Sequence, residues 1–113
     1  MTEGDALRLD FLLPTRISNA IPFLFPVVVT NITKSLIDGD LMGTIRLETG
    51  LTFKPLQKAE IHFGQLEPGQ KIVLAWILVA EREGVYRISV QIFSQNNIKA
   101  TKSIQLVVSP QVS

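Results

Sequence analysis

The chain has 113 residues, with 11 basic and 10 acidic side chains and a formal charge of +1. That length suits a single domain with one modest core, and the near-balance of charge argues against a nucleic-acid surface, which would show a basic stripe. With no cysteine in the sequence, disulfides, thiol catalysis and thiolate metal sites are excluded.

Hydrophobic residues make up 46% of the chain, too many for a disordered tail. Acidic and basic residues alternate, so there is no run of like charge for a membrane surface to attract. The most apolar segment, residues 21–29, contains Pro22 and Pro26 and is far short of the roughly 20 residues a spanning helix needs, so no membrane insertion is expected. Residues 1–5 are acidic and polar, unlike a secretory signal.

The dominant period is two, which reads as strands. In residues 7–11, Leu7, Leu9 and Phe11 share one face, and Arg8 and Asp10 the other; Pro14 ends this run. Residues 23–32 follow, with Pro26 inside. Proline cannot donate to a ladder, so the strand proper is placed at residues 27–32. Asp38-Gly39-Asp40 reads as a turn, and residues 42–48 as a third strand with Ile45 and Leu47 inward. Lys54-Pro55 makes residues 51–56 irregular. Residues 59–63 form a short strand, and Glu67-Pro68-Gly69-Gln70 suits a type II turn.

Residues 71–80 are the most strand-like. Ile72, Leu74, Trp76 and Leu78 line one face, Val73, Ala75, Ile77 and Val79 the other. Two apolar faces are unusual in a sandwich strand that should have one side in water. After Glu83-Gly84, residues 85–94 place Tyr86, Ile88, Val90 and Ile92 inward. Gln95-Asn96-Asn97 is a hairpin tip. Residues 100–108 then return with Ile104, Leu106 and Val108 inward, and residues 109–113 read as a tail or linker. The expected architecture is one all-β, immunoglobulin-like (fibronectin III-like) sandwich of about seven antiparallel strands, spanning residues 1–113.

Several of these segments carry a family pattern. Leu66-Glu67-Pro68-Gly69, the apolar strand around Trp76, and Gly84-Val85-Tyr86-Arg87-Ile88-Ser89-Val90 together resemble the signature of the NEW3 and CARDB families. Val27-Val28-Val29-Thr30-Asn31 is similar to their early "V-x-V-x-N" strand. The resemblance implies an immunoglobulin-like accessory module of bacterial and archaeal proteins, without chemistry of its own. CARDB domains tend to have an acidic, asparagine-rich C-terminal hairpin; the tip here has no acidic residue, which tilts the resemblance toward the NEW3 type.

No catalytic constellation is visible. His62 is the sole histidine; with Glu60 on its face it forms a two-ligand metal site, an acid/base pair or a plain exposed strand face, and a firm metal site wants more ligands. Asp38 and Asp40 flank a glycine as either a weak cation loop or a turn. Trp76 reads as core, and Tyr86 as a tyrosine corner whose hydroxyl bonds backbone. The sequence is therefore read as a non-catalytic interaction or spacer module with no cofactor and no metal. A small carbohydrate- or ion-binding module is the alternative.

The excess of apolar residues marks the candidate interaction face: Val73, Ala75, Ile77 and Val79, with Phe23, Leu24 and Phe25, beside Pro22 and Pro26, as a further apolar cluster near an edge. Its partner would be protein, either a neighbouring domain, a second copy or another chain. Alternatively the segment at residues 23–25 or the loop at 51–56 covers it. The expected setting is a larger surface or secreted microbial protein, with the cytoplasm as the alternative.

Overall fold

The computed structural model describes residues 7–13, 17–53, 58–95 and 97–110. Two four-stranded antiparallel sheets face each other. The first has the spatial order β1-β2-β6-β4 and the second β5-β3-β7-β8. The strands are β1 (Leu7–Phe11), β2 (Phe23–Asn31), β3 (Ile37–Leu47), β4 (Leu51–Phe53), β5 (Glu60–Leu66), β6 (Lys71–Ala80), β7 (Gly84–Ser94) and β8 (Asn97–Val108). The expected sandwich is thus present. The first sheet has the A-B-E-D order of an immunoglobulin constant-type sheet, and β3-β7-β8 corresponds to C-F-G.

Alternation fixes which residues face inward. From the first sheet come Phe25, Val27, Val29, Leu74, Trp76 and Leu78; from the second come Leu41, Ile45, Ile88, Val90, Ile92 and Leu106, all buried. Phe25 pairs directly with Trp76, and its ring lies 5.2 Å from that of Phe11, tilted by 45°. The Trp76 indole N–H donates to the Lys58 carbonyl at 3.1 Å, so the ring is buried without an orphaned donor.

The structure corrects the sequence reading in four places. First, β2 begins at Phe23 and runs straight through Pro26. The carbonyl of Pro26 accepts from the Leu12 N–H at 3.0 Å, so its ring nitrogen faces the side where β1 has already ended at Phe11, and no ladder donor is lost. Second, Asp38-Gly39-Asp40 is a bulge within β3 and not a turn: the β3–β5 register shifts there, with Gly39 at φ 104° and Asp40 at φ 60°. The buried Ser94 hydroxyl holds it, donating to the Asp38 carbonyl at 3.0 Å. Third, Leu51–Phe53 forms a short eighth strand paired with β6; residues 54–57 lie outside the described residues. Fourth, Ser109 is tied to the domain by a parallel bridge to Ser18, while residues 111–113 lie outside the described residues, as do residues 1–6, Pro14 and Asn96.

Two polar devices lock the ends of the sandwich. Asn31 is fully buried at the end of β2. Its Nδ2 donates to the carbonyls of Ser35 (2.9 Å) and Leu66 (3.0 Å), and its Oδ1 accepts from the Thr33 N–H (2.9 Å) and hydroxyl (2.7 Å). Its backbone bonds Gln70 and Gly69, so one side chain pins the β2–β3 loop to the β5–β6 turn. At the other end, the Tyr86 hydroxyl donates to the Arg82 carbonyl at 2.7 Å, the tyrosine corner expected from Gly84-Val85-Tyr86.

Candidate interaction face

The outward side chains of the first sheet can be read rung by rung from the pairing. Thr30 lies between Arg8 and Lys71, and Val28 between Asp10 and Val73. Pro26 pairs with Ala75, Leu24 with Ile77, and Val79 with Thr52. Between the polar rim of Arg8, Asp10, Thr30 and Lys71 at one end and Thr52 at the other, every outward residue of β2 and β6 is aliphatic. Leu24, Val73 and Ile77 are 51%, 60% and 39% exposed.

The outer face of the second sheet is the internal control. Its rungs carry Thr44, Gln91 and Thr101, then Arg46, Ser89 and Ser103, then Arg87 and Gln105, and the hydroxyls of Ser89 and Ser103 hydrogen-bond at 2.8 Å. Apolar rungs lie at both its ends: Met42, Phe93 and Ile98 at one, and Val85 with Val107, 59% and 68% exposed, at the other. The second sheet therefore presents water-compatible rungs along its middle and apolar ones at its ends, whereas the first presents aliphatic rungs along the middle of its two central strands.

Of the sequence-predicted residues, Val73, Ala75, Ile77 and Val79 come together on the outer face of β6. Phe23 and Phe25 do not join them: they are 8% and 0% exposed and belong to the core. The reason is parity. In β2 they share a face with Val27 and Val29, and pairing against Leu78 and Trp76 turns that face inward. The outer face is completed instead by Leu24 and Pro26, which the sequence reading grouped with Phe23 and Phe25, and by Val28, which it missed. The parity of Val27, Val29 and Asn31 in the "V-x-V-x-N" pattern was the signal available for them. The segment at residues 23–25 does not cover the face, because it lies within the same sheet.

The Arg8 guanidinium pairs with the Asp10 carboxylate at 3.1 Å, so the β1 rim carries both signs. At the seam between the edges of the two sheets, Lys102 of β8 occupies an inward-facing position in register with Val90. Its ammonium donates to the Leu9 carbonyl at 2.9 Å and lies 5.3 Å from the centroid of the Phe11 ring. An inward lysine on an edge strand blocks strand addition from another chain. The open side of the sandwich is thereby protected, while the apolar sheet face is not.

The remaining candidates stay apart. Glu60 and His62 are exposed on β5, and Asp38 and Asp40 are exposed in the β3 bulge. Among the described residues, no three His, Asp or Glu side chains group so as to hold a metal ion, and no helix is long and apolar enough to cross a membrane.

No family model matches the sequence, and no curated protein matches it. Its sandwich superposes on the CARDB domain of a Pyrococcus furiosus protein with a TM-score of 0.71, covering 94% of this chain and 96% of that one at 16% identity. The fold is that of a CARDB domain. A crystal structure of the same Pyrococcus furiosus CARDB domain, in complex with di-metal ions, gives a TM-score of 0.69 over 91% of this chain and 87% of that one at 16% identity. The chain also superposes on part of native Escherichia coli α-2-macroglobulin, with a TM-score of 0.73 over 93% of this chain but 7% of that one, again at 16% identity.

Proposed function

We propose that this domain is a non-catalytic interaction and spacer module that docks another protein on the outer face of the β1-β2-β6-β4 sheet. One observation carries the reading: an uninterrupted aliphatic surface across the middle of the two central strands of that sheet, where the middle rungs of the other sheet are polar. Contiguous exposed apolar patches of this kind mark interaction sites. The shape supports the spacer part, since the molecule measures 51 × 31 × 20 Å and both ends are locked by Asn31 and Tyr86. A sandwich of similar fold forms a small part of a much longer protein in α-2-macroglobulin, which supports a modular setting; we propose that this setting is a larger surface or secreted protein.

The test is fractionation of the native host, probed with an antibody against this chain. The expected antigen is heavier than 12.5 kDa and lies in the envelope or the medium. A 12.5 kDa cytosolic antigen would overturn the modular, exported setting. Docking is tested separately by a photo-crosslinking residue at Ala75, at the centre of the face, which is expected to capture protein; no adduct at all would overturn it.

A further inference from the structure

Resting on the spacer reading, we infer that this domain is a load-bearing link: tension between its chain neighbours passes along the sandwich and loads both terminal strands in shear. Strand direction decides this. Leu7, the first residue of β1, pairs with Asn31 at the end of β2, and the Asn31 backbone in turn bonds Gln70 and Gly69 of the β5–β6 turn. Val108, the last residue of β8, pairs with Gly84, just past the β6–β7 turn. The ten residues of β6 run from the first of these ends to the other, roughly 30 Å apart. The chain therefore enters the sandwich at one pole and leaves it at the opposite pole, and a pull between β1 and β8 acts parallel to the strands.

A pull in that direction meets all the bonds of a terminal strand at once. β1 is held by β2 over its whole length. Leu12 donates to the Pro26 carbonyl, so antiparallel parity turns the Asp10 N–H toward Val28. β8 is paired with β7 from Asn97 to Val108. At its exit Ser109 is held on the other edge as well: its N–H donates to the Ile17 carbonyl at 2.9 Å, and its carbonyl accepts from the Asn19 N–H at 3.1 Å. The Lys102 ammonium, donating to the Leu9 carbonyl at 2.9 Å, ties the two loaded strands directly to each other. Sliding a strand by ~2 Å breaks such bonds together, because a donor–acceptor distance beyond about 3.5 Å no longer holds. Peeling one pair of residues instead lengthens the tether by two residue spacings, ~7 Å. The same free energy lost over the shorter displacement requires the larger force, so end-to-end tension meets the resistant direction of the fold.

The test is single-molecule pulling on the full chain, in two geometries at the same speed. The first tether runs between tags at the two chain ends. The second runs from the C-terminal tag to E83C, a unique thiol because the chain has no cysteine, at an exposed position. It opens the β7–β8 pair from Gly84 and Val108, one rung at a time. The end-to-end unfolding force is expected to exceed the peeling force by a factor of about two or more, given displacements of ~2 Å against ~7 Å. Each end-to-end event is expected to add about 320 Å, from roughly 100 residues at ~3.5 Å less the folded span. D10P, which removes a β1–β2 donor, is expected to lower the end-to-end force and leave the peeling force unchanged, because β1 lies outside the peeling path. An end-to-end force no greater than the peeling force overturns the load-bearing role, as does an end-to-end force that D10P leaves unchanged. Either result leaves the spacer reading standing, because spacing needs only the fold. A 12.5 kDa cytosolic antigen in the host removes the neighbours and overturns both.

Discussion

Replacing Asn31 with alanine removes a buried side chain that makes four hydrogen bonds, two donated from Nδ2 and two accepted at Oδ1. Ser35 is exposed, so its carbonyl can turn to water. The Leu66 carbonyl, on a residue with no exposure, and the partly buried Thr33 N–H cannot do so as easily. Two groups left short at about 1–3 kcal/mol each give an expected loss of roughly 3 kcal/mol. That is a large share of the 5–15 kcal/mol typical of a domain, and it corresponds to a drop in melting temperature on the order of 10–15 °C. N31D sharpens the argument, because it places a carboxylate oxygen against two carbonyls in a fully buried site. The introduced carboxyl should titrate above the ordinary aspartate range, since only its protonated form can donate to Leu66 or Ser35. The folded state of N31D then binds more protons than the unfolded state. Its deficit relative to wild type should therefore be smallest below about pH 4 and grow as pH rises through the elevated folded value. Urea unfolding followed by circular dichroism from pH 4 to 8 measures both effects. An N31A loss under 0.5 kcal/mol, or an N31D deficit that is flat with pH, would refute the assignment of Asn31 as the pin between the two loops.

The tyrosine corner predicts that Y86F loses about 1 kcal/mol, read by the same unfolding assay; an unchanged midpoint would mean that the 2.7 Å bond to Arg82 contributes nothing. G50A should cost more, about 2 kcal/mol, because Gly50 has φ 106° and an added Cβ would lie 2.8 Å from Cε1 of Tyr86. In the double variant G50A/Y86A the steric part of that cost should vanish, leaving the backbone part. K102L removes the inward charge at the β1–β8 seam. It should change stability by no more than about 1 kcal/mol while accelerating aggregation on heating, followed by light scattering; an aggregation rate equal to that of wild type would show that Lys102 does not guard the edge.

The sequence by itself determined the architecture wherever one face of a strand was apolar and the other polar. Period-two alternation placed Ile88, Val90 and Ile92 inward and Arg87 outward, and Leu7–Phe11 was legible to the residue. Trp76 and Tyr86 were read as structural because a mid-strand indole and a tyrosine just after a turn glycine have local reasons to be so. The periodicity was silent where both faces are apolar. Residues 23–29 offer Phe23, Phe25, Val27 and Val29 on one side and Leu24, Pro26 and Val28 on the other. Only the pairing of Phe25 with Trp76 decided that the larger set is buried.

Other features needed the partner strand before they had any meaning. The Asp38-Gly39-Asp40 stretch has turn chemistry, but pairing on both sides of β3 and the Ser94 hydroxyl made it a bulge. Leu51–Phe53 has no signal of its own and became a strand because β6 offered it an edge. Asn31 and Lys102 break the apolar pattern at inward positions. Their partners, Leu66 and Leu9, lie 35 and 93 residues away, a separation that no local rule spans. Local pattern therefore settled which segments are strands. Long-range pairing settled which of two apolar faces meets the core and which is turned outward.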